Sequence, residues 1–108
     1  MAGTVVATGV LGCTAVLAVG LALAAGADVA SRRAATAADA AALAAADTAS
    51  GLVPGAEPCT RAAEVAAASG SRLADCTLDG PIATVRVRVP FGAFEASGRA
   101  RAGPPPQP

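Results

Sequence analysis

The sequence predicts an α+β protein: a single N-terminal transmembrane helix continuing as a long Ala-rich helix, then a small helix plus an antiparallel head of two or three strands. Three observations predict it. The first 27 residues carry no charged side chain and are mostly apolar, residues 28–50 contain neither Gly nor Pro, and residues 82–89 alternate apolar and polar side chains. Four segments result: 1–27 as the transmembrane helix, 28–50 as its continuation, 51–103 as the head and 104–108 as a Pro-rich tail.

A spanning helix needs about 20 predominantly apolar residues, and residues 5–27 meet that length with Thr8 and Thr14 as their only hydroxyls. Ala25-Gly26-Ala27 before Asp28 also forms an A-x-A-like cleavage site, so a cleaved secretory signal is the alternative. Against it, no Lys or Arg precedes the apolar run, which is longer than the usual signal core of about 7–15 residues. Val10-Leu11-Gly12-Cys13 loosely resembles a lipidation box, but the apolar run continues past the cysteine. A helix buried in a soluble core fails because the remaining chain is too small and too polar to cover it. Gly9, Gly12, Gly20 and Ala24, with Ala38 and Ala42 beyond the span, are candidate helix-packing positions, since small residues let helix backbones approach closely. In a chain with 32 Ala and 12 Gly such spacings also arise by chance.

Residues 28–50 have high helix propensity, so the helix continues out of the bilayer, with Asp28 and Arg32 as an i,i+4 pair of favourable order. Leu43 is the one large apolar side chain in residues 31–50. Such a helix has little to bury in its own domain, which predicts either a solvated stalk or close packing against copies of itself.

Gly51 and Pro54-Gly55 end the rod. Pro58 suits the first turn of a helix reaching about Ser69, with Ala62, Ala63, Val65, Ala66 and Ala67 as its buried side and Gly70 as its C-terminal cap. Residues 71–78 form a candidate strand and Asp79-Gly80 a hairpin signal. In the next strand Ala83, Val85, Val87 and Val89 face the core opposite Thr84, Arg86 and Arg88, and Pro90 closes it. Residues 91–94 connect to a weaker third strand in which Ala96, Gly98, Ala100 and Ala102 oppose Ser97, Arg99 and Arg101. The expected core is a thin layer of Val, Leu and Phe, and the tail of prolines is expected to be extended and mobile.

Composition excludes most chemistry. The chain has no His, Trp, Tyr or Lys, and eight Arg balance eight acidic residues, so no excess of positive charge invites nucleic acid. Ser and Thr have no His or Lys to act as base, and solvation explains the carboxylates Glu57, Glu64, Asp75, Asp79 and Glu95. We expect no enzyme, no cofactor, no metal site and no small-molecule substrate. Arg86, Arg88, Arg99 and Arg101 fall on one strand face as a candidate contact for an anionic partner, the alternative being a plain solvated face. Cys59 and Cys76, with sixteen residues between them, are expected to form a disulfide, which stabilises a head with so little large apolar surface and persists only outside the cytosol. Free cytosolic thiols are the alternative, and Arg32-Arg33 after the span favours it by the positive-inside rule.

The uncharged span, Arg32-Arg33 and the run AADAAALAAA at 37–46 resemble the N-terminal region of TadE/TadG-type pilus-assembly proteins. Cys59, Arg61-Ala62-Ala63-Glu64-Val65-Ala66, Gly70, Leu73, Cys76, Val85-Arg86-Val87 and the ending Arg99-Ala100-Arg101-Ala102-Gly103-Pro104 are similar to small actinobacterial TadE-like proteins encoded beside a helicase and a secretion cluster. The resemblance implies a pilin-like (pseudopilin) long helix. It also implies a membrane-anchored structural or accessory component of a Tad/Flp-type pilus or secretion system, with the head outside the cell membrane and no enzymatic activity. Its partners would be the lipid bilayer and other Tad-system membrane or pilin-like subunits, self-association included. A small exported protein, whose N-terminal segment is a cleaved signal and whose head binds an extracellular partner, is the alternative.

Overall fold

The computed structural model describes residues 1–55 and 57–105, and in it the chain is α+β as the sequence predicts. α1 spans Ala2–Ala49, α2 Pro58–Ala68, β1 Arg72–Asp79, β2 Ile82–Phe91 and β3 Phe94–Ala102. The three strands form one antiparallel sheet in the order β1-β2-β3. The third strand is therefore a full member of the sheet. α1 is unbroken over 48 residues, about 72 Å at 1.5 Å per residue, and the molecule is 76 Å in its longest dimension.

The two halves of α1 meet different surroundings. Up to Ala25 every residue is exposed, whereas Ala30, Ala34, Ala37, Ala38, Ala41, Ala42, Ala45 and Ala46 are buried. That spacing is one helical face. It packs against the inner face of the sheet and against α2, so this alanine face is neither a solvated stalk nor a surface free for other copies. Alanine serves here because it leaves almost no side chain between helix and sheet. Gly98 carries this furthest: a Cβ there would overlap the Ala34 carbonyl and lie 2.7 Å from the Ala35 amide nitrogen.

The core facing this helix is made of Ala and Val, not Val, Leu and Phe. Val85 and Val87 are its largest fully buried side chains, Leu73 is only partly buried, Phe91 is half-buried, and Leu78 and Phe94 are exposed. On α2 only Ala62 and Ala66 are buried and Val65 is half-buried, while Ala63 and Ala67 point to solvent. The helix contributes a narrow stripe because only one side of it meets α1 and β1.

Local signals set the boundaries. The Glu57 carboxylate accepts a hydrogen bond from the Thr60 amide at 3.1 Å, capping α2 ahead of Pro58 in its first turn. Past its end, the Ser71 hydroxyl donates to the Ala66 carbonyl at 2.8 Å. β1 carries an irregularity between Leu73 and Asp75, which leaves Ala74 without a partner on β2 and changes the phase of the strand. Both hairpins are tighter than the sequence suggests. Gly80-Pro81 and Gly92-Ala93 are two-residue loops whose glycines take φ +60° and +57°, and β2 runs through Pro90 to Phe91. Pro104 and Pro105 have no regular structure, and the rest of the Pro-rich tail lies outside the described residues.

Candidate membrane anchor and charged sheet face

The first 27 residues form the surface that most needs an explanation. α1 contains a stretch long and apolar enough to cross a membrane, and none of it is buried within the molecule. Val5, Val10, Leu11, Val16, Leu17, Leu21 and Leu23 all stand exposed. The two hydroxyls inside the span are satisfied by the helix's own carbonyls, as a hydrocarbon environment requires. The Thr8 hydroxyl donates to the Thr4 carbonyl at 2.9 Å and the Thr14 hydroxyl to the Val10 carbonyl at 2.8 Å.

The predicted helix-packing residues divide at the end of this segment. Gly9, Gly12, Gly20 and Ala24 lie on its exposed surface, where Gly9, Gly12, Cys13, Val16 and Leu17 line a shallow apolar groove. Ala38 and Ala42 are completely buried in the chain's own fold, so they pack the sheet and α2 and are not available to another helix. Cys13 is an exposed free thiol.

Cys59 and Cys76 form a disulfide, their Cα atoms 5.8 Å apart. Cys59 sits in the first turn of α2, and Cys76 is on the inner face of β1 opposite Val85. The bond ties α2 to the edge strand, which holds α2 over the side of the α1 alanine face that the sheet leaves uncovered.

The outer face of the sheet collects arginines. Arg86 lies directly opposite Arg99, Thr84 opposite Arg101, and Arg88 between Arg72 on one side and Ser97 on the other. All four predicted arginines thus share one face, joined by Arg72, which the sequence reading missed because the β1 irregularity masks its phase. Glu95 pairs with Arg72 at 3.2 Å and Asp75 with Arg86 at 3.5 Å. Among the described residues Arg88, Arg99 and Arg101 make no ion pair.

Three of the remaining carboxylates, Glu57, Glu64 and Asp28, have local partners. Glu57 caps α2, and Glu64 pairs with Arg61 at 3.3 Å. Among the described residues no three metal-ligating side chains come together. At the start of the buried half of α1, the Asp28 carboxylate accepts from Arg32 Nε at 2.9 Å, the i,i+4 pair expected, with both side chains largely exposed. No protein-family model matches the chain, and no curated protein or solved structure is detectably similar to it.

Proposed function

We propose that this chain is a membrane-anchored, pilin-like component of a Tad/Flp-type pilus or secretion system, structural or accessory and not enzymatic, with its head on the extracytoplasmic side. The observation that carries the reading is the division of labour within one unbroken helix. The bare apolar half of α1 suits a bilayer or the packed helices of an assembly, and the other half is the central element of a disulfide-tied head. Because no loop separates the halves, a force or rotation applied to the span is delivered directly to the head. The TadE-like resemblance in residues 37–46 falls on the buried alanine face, as it would if it specified the packing of helix on sheet. The disulfide favours an oxidising compartment for the head.

One specific observation supports the second reading, an exported head released by cleavage after Ala27. The first buried residue of α1 is Ala30, so losing residues 1–27 would leave the packed alanine face whole.

The test is to express the full chain, extract membranes with alkaline carbonate and oxidise them to crosslink Cys13. The pilin-like reading expects a chain retained in the membrane whose head is cut by protease added outside, with Cys13-linked dimers or links to other Tad-system subunits. A soluble chain beginning at Asp28 in the medium would overturn it in favour of the exported head.

A further inference from the structure

The two aromatic residues of the chain, Phe91 and Phe94, face each other at the ends of β2 and β3. Their hairpin reaches back along α1 to Gly26, where the position of a Cβ would lie 3.0 Å from the Phe91 ring. That is the level at which the apolar segment ends, two residues before the first charged side chain, Asp28. Phe91 is half-buried against the helix, but Phe94 is 75% exposed, and nothing in the head covers it.

We propose that this hairpin is a second membrane contact, seating Phe91 and Phe94 in the interfacial layer of the bilayer that holds α1. The inference rests on the reading of residues 1–27 as a retained anchor. Asp28 has to stay outside the hydrocarbon, so the boundary falls beside Gly26 and the hairpin tip meets it. Apolar side chains bury readily at this depth, at the junction of acyl chains and headgroups.

Charge continues the match. Arg33 is seven residues past Gly26 and Arg88 three residues from Phe91, each about 10 Å beyond the tip. The headgroup layer is about 5–8 Å thick, so both guanidinium groups can extend back to it on their aliphatic stems. Neither makes an ion pair among the described residues. A lone span leaves the tilt and rotation of its head undetermined; a second contact at the interface fixes both.

The chain has no Trp, so single Trp substitutions report position without background. Full-length Phe94→Trp, Leu17→Trp and Leu52→Trp would be reconstituted in phosphatidylcholine/phosphatidylglycerol vesicles. Leu52 is the control, since it is also 75% exposed but lies beyond the far end of α1. The proposal expects F94W to lose most of its emission to lipid brominated near the carbonyls. L17W should lose its emission to lipid brominated deep in the chain, and L52W should respond only to aqueous acrylamide. If L17W is quenched by lipid while F94W behaves like L52W, the anchor stands and the hairpin contact is overturned. If F94W is shielded from both lipid and acrylamide, protein covers the hairpin, for instance a second copy, and the lipid contact is overturned. If L17W itself escapes the brominated lipid, the anchor reading fails and takes this inference with it.

Discussion

Gly98 of β3 lies against the backbone of α1 at Ala34, with no room between them for a methyl group. The alanine face of the helix and this glycine together bring sheet and helix into near-backbone contact. In an open strand, replacing Gly by Ala stabilises by about 0.4–1 kcal/mol through the unfolded chain. Here the obstacle is backbone, which no rotamer change relieves, so the sign reverses. We expect Gly98→Ala to destabilise the head by about 1–3 kcal/mol, measured by urea unfolding of the full chain in micelles, with Ser97→Ala on the opposite face close to neutral.

The same geometry separates two small-residue positions that look alike in the sequence. Ala42 is buried where α1 packs on α2 and the sheet, whereas Gly20 has open space where a Cβ would be. Ala42→Leu should cost the head about 1–3 kcal/mol by overpacking, and Gly20→Leu should leave head stability unchanged. Any effect of Gly20→Leu is expected in Cys13 crosslinking alone. Hydrogen exchange at β2 and β3 amides reads the first effect and non-reducing electrophoresis the second.

The disulfide joins residues 17 apart, a loop whose closure is worth about 3 kcal/mol on chain entropy. Cys59→Ser and Cys76→Ser should therefore destabilise the head equally, and the double substitution no more than either alone. Unequal single effects in denaturant titration would mean that the sulfurs act separately.

Directly opposed like charges on a sheet are unfavourable, and Arg86 faces Arg99 across β2 and β3. Arg99→Glu should stabilise the head by about 0.2–1 kcal/mol. The gain should shrink near 1 M salt, where the screening length falls to about 3 Å. A gain that persists at high salt would show that repulsion is not its source.

The strands β2 and β3 were legible because one face is buried, so period two survives within each, from Ala83 to Val89 and from Ala96 to Ala102. The α2 cap, the hairpin glycines and the two cysteines were legible because each is a local signal. The partner of the α1 alanine face was not, because alanine gives little hydropathy contrast and the sheet it meets is remote in sequence, Gly98 lying 64 residues beyond Ala34. A signal was present on the opposite side: Arg32, Thr36, Asp39, Leu43 and Asp47 follow helical spacing and are all exposed, which leaves alanine alone on the other face. Placing the four arginines on one face needed only alternation. Adding Arg72 needed the β1 irregularity, and recognising Ala38 and Ala42 as core needed the fold.

Whether the span is retained and the head oxidised is read from the intact mass of the chain extracted from membranes, without reduction and with free thiols alkylated. The expected mass has residues 1–27 still attached, one alkyl group on Cys13, and two hydrogens missing for the Cys59–Cys76 bond. A chain beginning at Asp28, or three alkylated thiols on a chain that keeps its span, would contradict it.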